Sequence, residues 1–152
     1  MGTTMRLVYL GSLSVCLIAS PIYAADNCTG HYTSVNISAE TLEIAKGHKV
    51  VYFVAHSSAT SENSADNAVG RCGGYSLTLP DGKVKVVGSC VRKTKDGDSW
   101  ADEFALEPGA TRGTWKLVQG TGVFANKNWS GWWEPIVSEG KIDMGKWGGN
   151  CP

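Results

Sequence analysis

The sequence predicts an all-β domain, a sandwich or a barrel, on three observations. Glycine supplies 17 of the 128 residues that follow Ala24, about 13% against a usual ~7%. No window of 12 or more residues carries a clean apolar repeat at helical spacing. Short runs rich in β-branched and aromatic residues recur instead, separated by turn signals at regular intervals.

The segment before these runs reads as a secretory signal peptide covering residues 1–24. Arg6 is its only charge, Leu7 to Ala19 is apolar, and Pro21 precedes the small-residue cleavage site at Ala24-Ala25. Gly11, Ser12 and Ser14 interrupt the apolar run, which is too short to span a bilayer, so no membrane span is expected. Cys16 would be a lipid anchor only after a small residue, and Val15 stands there. Residues 25–152 then form one domain with room for a core. Export to the periplasm or the medium follows.

Eight strands are expected in order. Thr41–Ala45 is the first, and Lys49–His56 the second. The second is apolar on both faces, with Val50, Tyr52, Val54 and His56 on one and Val51, Phe53 and Ala55 on the other. Such a strand is covered on both sides, by an interior and by another layer or subunit. The stretch from Ser57 to Ala68, rich in Ser, Ala, Asn and Thr, reads as a long exposed loop or a fraying strand end. Gly74–Leu79 and Lys83–Lys93 form a hairpin around Pro80-Asp81-Gly82, in which Pro80 presets φ and Gly82 supplies the left-handed residue of a bulge. Lys95-Asp96-Gly97-Asp98 is the next hairpin turn, with calcium as the alternative. Ser99–Leu106, Gly113–Gln119, Gly131–Val137 and Lys141–Lys146 complete the set.

The Pro-Asp-Gly turn sets a register that puts Cys72 directly opposite Cys90, within disulfide reach. The mature chain keeps four cysteines, so Cys28 pairs with Cys151 by elimination. Zinc is the alternative, but no C-x-x-C or H-x-x-x-H pair is present and no metal site is expected. The same register puts Tyr75, Leu77 and Val87 on one face of the hairpin. Cys72, Cys90, Gly74, Gly88 and Ser76 fall on the other, where either a neighbouring element packs close or a cavity begins.

The strongest local signal runs from Gly88-Ser89-Cys90-Val91 through Asp96-Gly97-Asp98 to Trp115-Lys116-Leu117-Val118-Gln119-Gly120-Thr121-Gly122-Val123-Phe124-Ala125, then Gly131 and Trp133. Over roughly Gly70 to Glu134 the chain resembles the allene oxide cyclase and dirigent-like barrel group, in particular its small exported bacterial members. Asn126 and Trp129 depart from that pattern, standing where it usually has glycine, and Lys95 stands where it commonly has an acid. The resemblance implies a single antiparallel eight-stranded β-barrel with a central cavity, and it admits a trimer or other homo-oligomer. No residue of the plant enzymes' catalytic set has a local match here, so catalytic residues stay unassigned. The Gly120/Gly122 pair lacks the spacing and the following helix of a phosphate loop.

Alternation along Ser99–Leu106 places Trp100, Asp102, Phe104 and Leu106 on the inner face. A carboxylate among apolar neighbours needs a partner such as Tyr or Arg, or else serves as an acid–base or ligand-orienting group. Six tryptophans are many for this length; they fill a barrel short of large aliphatics, or stack on a flat ligand. Trp132 and Trp133 are adjacent, so one points in and one out. The candidate ligand-binding residues are Tyr52, His56, Trp100, Asp102, Trp115 and Trp132. The expected partner is a hydrophobic or aromatic small molecule, with no cofactor. The alternatives are an isomerase or cyclase using Asp102, Tyr52 and His56, and a protein-interaction module using Trp133 or Trp129. Without Arg6 there are 13 basic and 14 acidic residues, which argues against nucleic acid and against a polybasic membrane ligand. Sequons at Asn27, Asn36 and Asn128 are read as chance.

Overall fold

A computed structural model describes residues 27–151, so the expected signal segment, 1–24, lies outside the described residues. The chain forms β1 (Cys28–Ala45), β2 (His48–Ser61), β3 (Ala68–Thr78), β4 (Val84–Thr94), β5 (Ser99–Leu106), β6 (Gly113–Gly120), β7 (Ser130–Glu139) and β8 (Ile142–Asn150). Each strand pairs antiparallel with the next, and β8 returns to β1 to close the barrel. Closure leaves no unpaired sheet edge.

All eight expected strands are present, but several begin or end elsewhere: β3 starts at Ala68 rather than Gly74, β8 ends at Asn150 rather than Lys146, and β1 and β2 differ as follows. β1 starts at Cys28 rather than Thr41, because Cys28 to Val35 pair with Gly149 to Ile142 of β8 while Gly30 onward pairs with β2. Backbone bonding on both sides holds this polar segment extended without apolar alternation. β2 likewise runs on through Ser57–Ser61, the start of the stretch expected as a long loop or a fraying strand end, because Ser57 to Ala59 pair with Gly70 to Ala68. The true connection is short and contains a single 3-10 turn, Ser64–Asp66.

The β3–β4 hairpin has the expected register, with Cys72 opposite Cys90 and Leu77 opposite Lys85. The Leu79 amide donates to the Lys83 carbonyl at 2.8 Å, and Gly82 has φ +81°. The Cys72–Cys90 disulfide bridges Cα atoms 4.0 Å apart, and Cys28–Cys151 ties the start of β1 to the residue after β8.

The Asp-Gly-Asp and Gly-Thr-Gly motifs meet in space. The first forms the β4–β5 hairpin turn, with the Thr94 amide donating to the Asp98 carbonyl at 2.9 Å. The Asp98 side chain then accepts from the Val123 amide at 3.1 Å. Ser99 and Thr121 are joined by backbone and hydroxyl bonds, among them Thr121 N–H to the Ser99 carbonyl at 2.7 Å. Gly122, at φ +55°, lies against the Asp98 carboxylate, so a side chain there would meet both backbone strain and a clash. This clamp directs Phe124 inward. The Phe124 ring is fully buried, with its centroid 4.4 Å from Trp100 and 5.4 Å from Trp129. It closes the barrel where β5, β6 and the approach to β7 converge.

Both disulfides constrain the unfolded chain. Loop-entropy reasoning gives about 3 kcal/mol for the 18-residue separation of Cys72–Cys90 and about 5 kcal/mol for the 123-residue separation of Cys28–Cys151. The terminal bridge should deliver less than its estimate in global unfolding, because chain ends fray locally. Thermal melting of the two paired Cys→Ser variants measures both losses; an unchanged melting temperature for the hairpin pair would contradict the estimate.

Candidate functional site

The interior is hollow. Only Ala55, Ala68, Cys72, Cys90, Leu117 and Phe124 form a buried apolar core among the described residues. The rest of the inner face surrounds a cavity of about 520 Å³, within the ~300–1,000 Å³ range of small-molecule sites. The small face of the β3–β4 hairpin borders this cavity through Cys72, Ser76, Val86 and Cys90. At Gly88 the Phe104 ring from β5 lies over the backbone instead. Both expectations for that face are therefore met, at different positions.

The aromatic lining follows a pairing rule. Tyr32 stands opposite Gly145, Trp147 opposite Gly30, Trp133 opposite Gly113, Phe104 opposite Gly88 and Trp115 opposite Gly131. In the first four pairs the ring occupies the space where the glycine's side chain would be; a Cβ on Gly30 would come within 2.7 Å of Trp147. The rings therefore lie along the wall. Indole N–H groups fix three of them: Trp115 donates to the Gly148 carbonyl at 3.2 Å, Trp133 to Thr114 at 3.2 Å, and Trp147 to Thr60 at 3.2 Å. Edge-to-face contacts join Tyr32 to Trp133, Phe104 to Trp133 and Trp115 to Trp147, with centroids 6.0–6.2 Å apart. This geometry suits aromatic quadrupoles.

Two polar groups interrupt the apolar wall. The first centres on Arg92, near the end of β4. Its Nε donates to Asp102 Oδ2 at 2.9 Å, one Nη donates to the Ser57 hydroxyl at 3.0 Å, and the other lies 3.1 Å from Cys90 Sγ. Asp102 also accepts from the Trp100 indole at 3.0 Å. Asp102 is 6% exposed, and both donors converge on its Oδ2 at the inner face. The second group lies toward the β7–β8 turn. Asp143 accepts from the Ser138 hydroxyl at 2.6 Å and from Asn36 Nδ2 at 3.3 Å. Burial, with the charge of Asp143 added, pushes the Tyr32 phenol up to about 12. Burial also raises the Asp66 carboxyl at the cavity edge, against a hydrogen bond from Asn63.

Of the residues singled out from the sequence, Trp100, Asp102 and Trp115 line the cavity together. Tyr52, His56 and Trp132 do not. Tyr52 is half exposed on the outer wall, with its ring centroid 6.3 Å from Tyr75. His56 borders a shallow outer groove with Val35, Val69 and Arg71. Trp132 packs under the guanidinium of Arg112, 4.2 Å from the ring centroid, and its neighbour Trp133 is the inward one. The period-2 pattern sorted these residues into faces, but β2 and β7 carry apolar side chains on both faces. Pattern alone therefore could not say which face was inside. Tyr32, Asn36, Asp143 and Arg92 were missed, since polar residues inside a barrel leave no hydrophobic signature. The sequon residue Asn36 is among them, turned into the cavity.

No protein-family model matches the chain, and no curated protein matches it. Among solved structures, it is similar to a pterocarpan synthase dirigent protein, with 11% identity, a TM-score of 0.52, and coverage of 80% of this chain and 85% of the other. A second pterocarpan synthase dirigent protein aligns at 11% identity and a TM-score of 0.49, covering 80% and 90%. The first likeness is one of fold, and it agrees with the closed eight-stranded barrel.

Removing Asp102 strands a buried cation. Asp102→Ala should cost about 3–5 kcal/mol, and adding Arg92→Met should recover most of it, because an apolar pair of similar volume avoids the desolvation of both charges. Urea unfolding of the single and double variants measures this; equal stabilities for the two would contradict it. Tyr32 generates a second expectation. Its folded pKa lies above the usual 10.0, so its contribution to stability is fully present below pH 10 and is lost as pH rises through about 12. Ultraviolet titration should show a tyrosinate transition near pH 12 that Tyr32→Phe abolishes. Asp143→Asn should lower that transition without returning it to 10, because burial is the larger cause.

Proposed function

We propose that this protein binds a hydrophobic or aromatic small molecule inside its barrel and is exported to do so. The hollow, aromatic-lined cavity of about 520 Å³ carries this reading. A barrel meant only for stability would be filled by side chains. Here the cross-strand glycines let the rings lie back and keep the lumen open, and each exposed ring face offers stacking area to a flat ligand. The fold likeness to a dirigent protein is in keeping with a small-molecule barrel, although fold alone does not assign function. Two disulfides support an oxidising destination. No helix among the described residues is long and apolar enough to cross a membrane.

The isomerase or cyclase alternative has less to stand on. Of its three candidate groups, Tyr52 and His56 lie outside the barrel, and Asp102 is held by Arg92 and Trp100.

Quenching of the protein's tryptophan fluorescence by a neutral aromatic such as 2-ethylnaphthalene tests the proposal. Ser76→Trp places a large ring in the cavity from its small-residue wall and should weaken binding at least about tenfold, roughly 1.4 kcal/mol. Tyr52→Ala, on the outer wall, should leave binding unchanged. The opposite pattern would move the site to the barrel exterior, and no quenching in the parent protein would end the reading.

A further inference from the structure

The charges inside the barrel narrow the class of ligand. Among the described residues, the charged side chains lining the cavity are Asp66, Asp102, Asp143 and Arg92. The one cation is already engaged: Arg92 meets Asp102, Ser57 and the disulfide sulfur with its three nitrogens. A carboxylate ligand would therefore find its natural partner occupied, and would face two further acidic groups.

Asp143 stands differently. Its two hydrogen-bond donors, Ser138 and Asn36, are both neutral, and it has no ion-pair partner among the described residues. No described cation therefore stands within ion-pair distance of its charge at the cavity. Aromatic surface adjoins it. Asp143 stands opposite Ser34 and Gly145 opposite Tyr32 on the β1–β8 ladder, so Asp143 and Tyr32 are two positions apart in the same lining, and the Tyr32 ring meets Trp133 edge to face at 6.2 Å. A carboxylate beside aromatic faces is a site for an organic cation, which gains both the ion pair and attraction to the ring quadrupoles. Burial is the main cause of the raised Tyr32 phenol, and the Asp143 charge adds to it in the same direction.

We infer that the cavity selects a cationic aromatic, an arylalkyl ammonium whose ring lies among Tyr32, Trp133 and Phe104 and whose nitrogen reaches Asp143. This rests on the ligand-binding reading above and specifies the chemistry of that ligand. An ammonium supplies the countercharge that Asp143 lacks. A neutral aromatic gains the stacking alone, and an anion meets net repulsion.

Three probes that share one ring system separate these cases: 2-(2-naphthyl)ethylamine, 2-ethylnaphthalene and 2-naphthylacetate, titrated calorimetrically at pH 7 into the protein with both disulfides formed. The amine should bind at least about tenfold more tightly than the neutral probe, and the acid most weakly. In Asp143→Asn the gap between amine and neutral probe should shrink to under about threefold, with the neutral probe's affinity unchanged. The ranking on the parent protein decides the matter even if that variant fails to fold. If the neutral probe or the acid binds as tightly as the amine, the charge selection is wrong while the ligand-binding reading stands. If Asp143→Asn folds and keeps the full amine preference, the assignment to Asp143 is wrong. If none of the three binds, the ligand-binding reading fails and this inference fails with it.

Discussion

Five large rings that turn into this barrel, Tyr32, Phe104, Trp115, Trp133 and Trp147, each face a glycine on the neighbouring strand, and the hollow interior depends on that pairing. Eight strands closed into a cylinder leave an interior that ordinary side chains can fill. Bulky rings directed at the axis would fill it first. With no Cβ opposite, Trp147 lies over Gly30, Trp133 over Gly113, Tyr32 over Gly145 and Phe104 over Gly88. The rings cover backbone that glycine would leave bare, which offsets part of glycine's entropic cost in a strand. The indole N–H groups of Trp115, Trp133 and Trp147 close onto wall carbonyls at Gly148, Thr114 and Thr60. High glycine content and high tryptophan content are thus two sides of one arrangement.

A wall built this way has few fully buried residues, so its stability must come from elsewhere. Backbone closure, two disulfides and a small number of interior clamps carry it. Arg92 links β2, β4 and β5 through Ser57, its own strand and Asp102. Asp98 and Thr121 fasten the β4–β5 turn to the segment that delivers Phe124. Both clamps lie toward the same end of the barrel as Trp100 and Trp129. Asp143, Asn36 and Ser138 stand toward the other end, on β8, β1 and β7. The cavity between them is apolar on its sides and acidic beyond what Arg92 neutralises, which gives a ligand both a stacking surface and an orientation.

The strands were legible where apolar residues alternate or where a turn is chemically marked. Pro80-Asp81-Gly82 and Asp96-Gly97-Asp98 both form the hairpins their residues imply, and the first of them carried the disulfide pairing with it. The first half of β1 and the end of β2 were not legible. Their strand character comes from pairing with β8 and β3, and partners distant in sequence leave no local pattern. Tyr52, His56 and Trp132 were placed with the candidate site because β2 and β7 are apolar on both faces. Asn36, Arg92 and Asp143 escaped notice because each looks like an ordinary surface residue until the barrel closes around it.

By itself, then, the sequence determined the all-β class, the eight strands in outline, one hairpin register with its disulfide, a second hairpin turn and the inner face of β5, where Trp100 and Asp102 alternate with smaller or charged neighbours. Those features depend on residues near one another along the chain, so local periodicity and turn chemistry suffice to specify them. Tertiary structure alone decided which face of β2 and β7 lies inside, that Arg92 meets Asp102, that Asp143 finds only neutral donors, and that the interior stays open. The inward faces and the open interior depend on closing β8 against β1, a long-range pairing that the Asn36 bond to Asp143 also spans, while Arg92 meets Asp102 only once β4 and β5 pair.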